Sequence, residues 1–463
     1  MIAWKRKCLF VKVMDEVRFK RKMYERMLHW KATAQGKSAL FVDGARRVGK
    51  SYLCAEFAAN EYDSCIFVDF GNMPDEVRAI FSQDTSDLNL FFLRLSAFYR
   101  VTLHERRSVI VFDEVQLFPR ARQLVKYLVA DGRYDIIETG SLITLLMKSE
   151  EILVPSEEEH VELFPLDFEE FLWARGDEAT VPALRAFYEK RQPLGQALLR
   201  RVMTDFRIYM LVGGMPQAVA AYLEANDFAP ADRRKRQILK LYREDVAKFA
   251  RGHAARVRAI LDQVPSQLAK REKVYRLASL SKHARMREYE DAFTWLEDAM
   301  IVNACRNASE PNVMLAASEA HTTQKLYMAD TGLLTTLAFA DRNYAQNTLY
   351  RAVLFGTLGV NEGMLAENIT AQMLRTRHKR LFFYARSDTS HRANMMEIDF
   401  LLPGEGKPFP VEVKSGRYKP HASLDKFMTK FKGRIGQPVI LYAKDILEED
   451  GILHLPMFMA MFL

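Results

Sequence analysis

Residues 44–51 read Gly44, Ala45, Arg46, Arg47, Val48, Gly49, Lys50 and Ser51, a complete G-x-x-x-x-G-K-[ST] pattern. An apolar run, Ala39-Leu40-Phe41-Val42, feeds it, and a helix-prone stretch, Tyr52 to Ala58, leaves it. Strand, loop and helix in that order are what a phosphate-binding loop requires. Gly44 and Gly49 let the backbone turn tightly and aim successive amides at phosphate oxygens, and the helix N-terminus adds its partial positive charge. In that geometry Lys50 is the point charge on the β- and γ-phosphates, and Ser51 is a ligand for Mg²⁺. ATP and Mg²⁺ are therefore the expected cofactors, held along residues 44–51.

Two further segments bear on hydrolysis. Val109-Ile110-Val111-Phe112 is a continuous apolar run of the kind that a parallel strand buried on both faces shows, and it ends in Asp113-Glu114. The carboxyl ends of such strands form the crevice in which open α/β sheets bind ligands. Asp113 would hold the Mg²⁺ through its water shell, and Glu114 would orient or deprotonate the attacking water. A third strand, Asp135-Ile136-Ile137-Glu138, ends in Thr139-Gly140-Ser141. The hydroxyl of Thr139 or Ser141 reaches the γ-phosphate or the water only if this strand lies between the other two; the alternative is a cap on the next helix.

At 463 residues, 49% of them hydrophobic, the chain is long enough for roughly three domains with full cores. Its four cysteines, Cys8, Cys54, Cys65 and Cys305, form no C-x-x-C pair, which argues against a zinc knuckle or a disulfide framework and for a reducing, cytoplasmic setting. No apolar run approaches the roughly 18 residues that span a bilayer, so no membrane partner is expected. The net charge of +8 permits a nucleic-acid partner without establishing one. Part of it crowds the N-terminus, at Lys5-Arg6-Lys7, Lys12, Arg18 and Lys20-Arg21-Lys22. That segment reads as a basic arm for phosphates or as a solvated helix leading into the first strand, and Met14 is an alternative start.

Beyond the third strand, Glu157-Glu158-Glu159 reads as a solvated loop, and Phe164, Phe168, Phe171 and Leu172 fall at the helical spacing of a packed face. Helical patterning follows, punctuated by Gly213-Gly214-Met215-Pro216. Short helices and then two strands, around 301–304 and 325–328, suggest a winged helix, with Lys282, His283, Arg285 and Arg287 as a basic face. Such a module reads a duplex or only joins domains. Near the end, residues 397–402 and 411–414 read as two strands joined by a turn rich in Pro and Gly. Alternation places Glu397 and Asp399 on one face, and Glu412 and Lys414 on one face of the partner strand. If the faces coincide, three carboxylates and a lysine converge, a repulsive cluster unless a divalent cation neutralises it, and that is the equipment of phosphodiester cleavage. The other reading is an ordinary hairpin with cross-strand Glu/Lys pairs.

Taken in order, residues 44–51, Phe112 to Gln116, Glu138 to Ser141, Phe164 to Phe171, Gly213 to Pro216, Ile260 to Leu268, Asp330 to Leu334, Glu367-Asn368 and Glu412 to Gly416 resemble the prokaryotic AAA+-like ATPases that carry a C-terminal DUF4143 region. The resemblance covers nearly the whole chain from about residue 19. It implies an α/β chain: a P-loop NTPase of the AAA+, additional-strand, catalytic-glutamate type with a parallel sheet and a helical lid, then a winged-helix domain and an α/β domain similar to PD-(D/E)XK nucleases. The corresponding boundaries are a basic segment at 1–18, the ATPase domain at 19–175, the lid at 176–255, the winged helix at 256–345 and the nuclease-like domain at 346–463. Carried over, the nuclease pattern falls on Asp399 and Glu412 as metal ligands, on Lys414, and on Glu367 as an acid on that domain's first helix. Many relatives carry an arginine shortly before the segment matching 164–171, whereas this chain has none between Lys148 and Arg175. No arginine finger is assigned, which leaves room for an oligomer or a partner subunit to supply one.

Overall fold

The structure, a computed structural model, describes residues 18–83, 87–141, 157–250, 252–270, 274–275, 277, 285–339, 361–378, 380–386, 395–415 and 422–463. The chain divides into two compact units, Met1–Phe164 and Pro165–Leu463.

In the first unit the elements run α1 (Lys22–Ala34), β1 (Ala39–Asp43), α2 (Lys50–Glu61), β2 (Ser64–Asp69), α3 (Asp75–Gln83), α4 (Leu88–Tyr99), β3 (Ser108–Asp113), α5 (Pro119–Asp131), β4 (Asp135–Gly140) and β5 (Glu158–Glu162). The sheet order is β2-β3-β4-β1-β5, parallel throughout. β1, β3 and β4 are buried along their whole length, which is why β1 and β3 read as apolar runs without alternation. Phe70, Phe81, Phe91 and Phe112 pack edge to face or tilted in the core beside them. Local signals place the helices: Asp87 caps α4 by accepting from the amides of Asn89 and Leu90, Pro119 opens α5, and Gly132, at φ 72°, ends it.

Of the loop expected at 157–159, Glu158 and Glu159 instead open strand β5, paired with β1 from Ala39↔Glu158 to Asp43↔Glu162. A strand so rich in charge is tolerated because it lies at the edge of the sheet, and because the side chain of Glu158 is buried on the guanidinium of Arg122 (2.6 Å).

The second unit begins with α6 (Phe168–Ala174), closed at its N-terminus by a reciprocal capping box between Asp167 and Glu170. Helices α7 (Thr180–Lys190), α8 (Gln196–Val212), α9 (Pro216–Ala225), α10 (Phe228–Phe249), α11 (Ala254–Leu268) and α12 (Met286–Asp298) follow. After them come β6 (Val302–Ala308), β7 (Glu319–Met328), α13 (Thr331–Ala338), α14 (Asn361–Arg375), β8 (Leu381–Arg386), β9 (Met396–Ile398), β10 (Phe400–Leu402), β11 (Phe409–Val413), α15 (Ala422–Lys430), β12 (Val439–Tyr442), β13 (Leu447–Glu449) and β14 (Ile452–Pro456). They build two sheets, β7-β6-β8-β9 and β10-β11-β12-β14-β13.

Two expectations change here. The hairpin of β6 and β7 is not a free wing, because β8 pairs in parallel with the other edge of β6 and extends it into a four-stranded sheet. The run 397–402 is not one strand either. It breaks at Asp399, with β9 pairing β8 on one side and β10 pairing β11 on the other, so the chain changes sheets at that residue. Of the expected basic face, Lys282 and His283 lie outside the described residues, as do Lys5, Arg6, Lys7 and Lys12 of the N-terminal segment, while Arg285 and Arg287 are exposed.

Segments far apart in sequence meet in one buried polar network. The Gly214 amide donates to Asp330 (2.6 Å), whose other oxygen accepts from the Leu333 amide (2.8 Å). Leu166 donates its amide to the Gly214 carbonyl (2.7 Å) and accepts at its own carbonyl from Tyr209 (2.8 Å), to which Gln372 donates (2.9 Å). Asn368 bonds both backbone groups of Met328. Because a Cβ on Gly214 would lie 2.0 Å from the Leu166 carbonyl oxygen, Gly214→Ala must push this network apart. We expect a loss on the order of 3 kcal/mol or more, read as a large drop in the midpoint of a urea melt; a midpoint within error of the parent would show the contact is not strained.

Candidate functional site

The loop at 44–51 joins β1 to α2 with little spare room. A Cβ on Gly44 would lie 2.5 Å from the Leu163 carbonyl oxygen, and Gly49 caps α2 at φ 97°, a conformation that glycine adopts at no steric cost. Arg47 takes φ 73° without that freedom, and both Arg46 and Arg47 are exposed. Ala45 and Val48 are buried beneath the loop. The Lys50 ammonium is buried and donates to the carbonyls of Gly44 (2.8 Å) and Ala45 (3.1 Å). The Gly44 amide donates to Asp43 at the end of β1 (2.7 Å).

β4 lies between β1 and β3, which meets the condition on which a hydroxyl at its end reaches the site. Thr139 donates its hydroxyl to Asp113 and accepts from the Glu114 amide (3.1 Å). The Ser51 hydroxyl also bonds Asp113. Burial pushes the Asp113 carboxyl up from 3.8 to about 6, the charges of Glu114 and Asp69 add to this, and the bonds from Thr139 and Ser51 oppose it. Glu114 sits at φ 54°, left-handed for a residue with a side chain, and its carboxylate accepts from Gln116. Strain of this kind concentrates where a side chain must be aimed. Ser141 follows the end of β4 and is half-buried. A serine hydroxyl beside a buried carboxylate is the hard-oxygen donor set that suits magnesium.

A buried ion pair beneath this site is absent from the sequence reading. Arg122 on α5 bridges Glu138 and Glu158 and stacks over the Phe41 ring at 4.5 Å. Burial pushes the Glu138 carboxyl up against the pull of Arg122. Glu138 precedes Thr139, so the pair fixes the strand that presents the hydroxyl. The one available signal was an arginine on the apolar stripe Ala121, Leu124, Val125, Leu128 of α5.

In the second unit Glu367, Asp399, Glu412 and Lys414 do converge, around a residue the sequence reading omitted. Lys325 on β7, with no exposed surface, lies 2.6 Å from Glu397 and 3.8 Å from Asp399. Burial pulls its pKa down, yet the charges of Glu397, Glu367 and Asp399 outweigh burial and hold it well above the ordinary lysine value. Asp399 accepts from the Val413 amide (2.9 Å), Glu412 pairs with Lys414 (2.6 Å), and Glu367 accepts from the Tyr327 hydroxyl (3.1 Å). Burial, then Asp399, pushes the Glu412 carboxyl up to about 8, against Lys414 and Lys325. Among the described residues no group of three or more His, Cys, Asp or Glu side chains is gathered as a metal ion needs. Two ammonium groups, Lys325 and Lys414, offset part of the charge assigned to a divalent cation and occupy oxygens of Glu397 and Glu412. A lysine directly before the apolar run Leu326-Tyr327-Met328 was the available signal.

The parallel sheet with its inserted strand, the loop at 44–51 and the Asp113-Thr139-Ser51 contact together give the first unit the arrangement of a P-loop domain. Residues 36–172 match a family model described as an AAA domain, residues 203–344 one described as a domain of unknown function, DUF8612, and residues 362–458 one described as a domain of unknown function, DUF4143. An uncharacterized protein of Methanocaldococcus jannaschii is 22% identical over 382 residues, 79% of this chain and 72% of that protein. Two solved structures are similar at low TM-score. The ORC1 protein of Aeropyrum pernix in complex with DNA has a TM-score of 0.25 at 12% identity, covering 73% of this chain and 95% of that one. CDC6P of Pyrobaculum aerophilum has a TM-score of 0.27 at 10% identity, covering 74% and 97%. Among the described residues no helix is long and apolar enough to cross a membrane.

The raised pKa of Asp113 has a direct consequence for stability. A carboxyl held above its unfolded value contributes stability below about 3.8 that is lost as pH rises through about 6. In EDTA, Asp113→Asn should therefore stabilise the protein at pH 8 by about 1–3 kcal/mol. The gain should shrink toward pH 5; thermal melts showing an equal gain at both pH values would contradict a buried charge.

Proposed function

We propose that this chain binds and hydrolyses ATP, and that its nucleotide state operates the second unit as a switch on a DNA or protein partner. The observation that carries the reading is the meeting of Ser51, from the first turn of α2, with Asp113, Glu114 and Thr139 at the ends of the adjacent strands β3 and β4. Lys50 and the loop amides would hold the β- and γ-phosphates, and Ser51 with Asp113 would hold Mg²⁺. When bound, that ion neutralises charge on the phosphate oxygens. Glu114, aimed by its left-handed backbone, takes or orients the proton of the attacking water, and Thr139 keeps Asp113 ionised and in register. Arg175 pairs with Asp205 at 2.5 Å, which makes it a poor finger and supports the need for a donor from another subunit or partner.

For the C-terminal cluster the switch reading is favoured over cutting, on the strength of Lys325. Convergence of Glu367, Asp399, Glu412 and Lys414 is what supports the nuclease alternative. A positive chain with exposed Arg285 and Arg287 supports DNA as the partner class.

Substitutions should separate the roles in the nucleotide site. Lys50→Ala should weaken ATP binding, whereas Glu114→Gln should keep binding and lose turnover by on the order of a hundredfold or more. Wild-type ATP affinity of Lys50→Ala in calorimetry would refute the loop assignment. For the cluster, Mn²⁺ titrated into the Lys50→Ala chain should give no heat that depends on Asp399, and duplex, single-stranded and branched DNA should stay intact with either Mg²⁺ or Mn²⁺. Cutting that disappears in Asp399→Asn would establish the nuclease reading instead.

A further inference from the structure

Of the run Lys20-Arg21-Lys22, only Arg21 is turned inward, 7% exposed, while Lys20 is exposed and Lys22 half-buried. It sits in extended conformation immediately before α1, and its guanidinium faces two backbone carbonyls far apart in sequence. One nitrogen donates to the Val48 carbonyl (3.1 Å) and the other to the Phe164 carbonyl (2.6 Å). Val48 stands just ahead of Gly49 and Lys50 in the nucleotide loop. Phe164 is the last residue of the first unit, and Pro165 opens the second.

The other end of the loop is held by the same segment. The Leu163 amide donates to the Asp43 carbonyl (2.7 Å), and the Leu163 carbonyl packs so closely on Gly44 that no side chain fits there. The loop is thus clamped at Gly44 by close approach and at Val48 through Arg21, both onto residues 163–164. A guanidinium suits this place because its rigid fork spans two acceptors at once, which a lysine ammonium on a flexible stem does not do. Burial in a site of carbonyl dipoles strengthens both bonds relative to water.

We propose that Arg21 is a positioning residue that ties the nucleotide loop to the backbone at Phe164, so that nucleotide held by the loop is felt at the joint leading into the second unit. This rests on the ATP reading above and adds the route by which the bound state leaves the site. The link is contiguous: phosphate on Lys50 and the loop amides, the Val48 carbonyl, the Arg21 fork, the Phe164 carbonyl.

Hydrogen-exchange mass spectrometry of the full chain, with and without Mg²⁺ and the non-hydrolysable analogue AMP-PNP, reads the joint directly, and steady-state ATP turnover reads the loop. In the wild type, nucleotide should slow exchange in the peptide that contains Leu163 to Leu166. Arg21→Ala should abolish that difference and raise KM for ATP on the order of tenfold, as loss of a charge-assisted hydrogen bond does, with a smaller change in kcat. Arg21→Lys, which keeps the charge and one of the two contacts and decides the matter should the alanine variant not fold, should recover much of the KM but not the exchange difference. Variants with wild-type KM and wild-type nucleotide-dependent exchange at 163–166 would overturn the link while leaving the ATP reading intact. A wild-type chain that binds no nucleotide in calorimetry would overturn both.

Discussion

A carboxylate buried at the end of a central strand must be matched by donors, and the first unit is organised around that requirement at Asp113. Its partners come from β4 and from the first turn of α2, so the site exists only if β4 is threaded between β1 and β3. Were β1 and β3 adjacent, Thr139 would be displaced by a strand's width and Asp113 would lose a hydrogen bond in a place where an unmet charge costs several kcal/mol. The apolar strands, the Arg122 bridge to Glu138 and the left-handed Glu114 all serve to hold that junction in place.

The second unit solves the same electrostatic problem differently. Four acidic side chains, Glu367, Glu397, Asp399 and Glu412, face two lysines from different strands, and the most deeply placed cation is an ammonium of the chain itself. A buried group of this kind contributes little net stability but is costly to break, which favours one arrangement of the two sheets over others. The change of sheet at Asp399 sits at its centre, so the electrostatics and the topology are fixed by the same residue.

What could be read from the sequence followed the range of the interactions involved. The loop at 44–51 and the pair Asp113-Glu114 are local patterns whose chemistry is carried by neighbours in the chain, and they stand where the patterns place them. Thr139 was legible only as a conditional, since its role depends on strand order, which no local window contains. Strand β5 escaped because Glu158 pairs with an arginine 36 residues away, and charge alone reads as loop. Lys325 and Arg21 escaped for the same reason: each looks like an ordinary surface cation until the fold turns it inward. The run at 396–402 has the composition of one strand, and only the pairing partners reveal the break at Asp399.

The most direct test of the account is single-turnover release of phosphate from ATP by the intact chain, followed with and without Mg²⁺. The arrangement of Lys50, Ser51, Asp113, Glu114 and Thr139 predicts release that requires the ion and stops on addition of EDTA. Tight binding of Mg²⁺-ATP with no release from the chain alone would shift the missing element to a partner's arginine, whereas absence of any Mg²⁺-dependent ATP binding would contradict the reading of the first unit altogether.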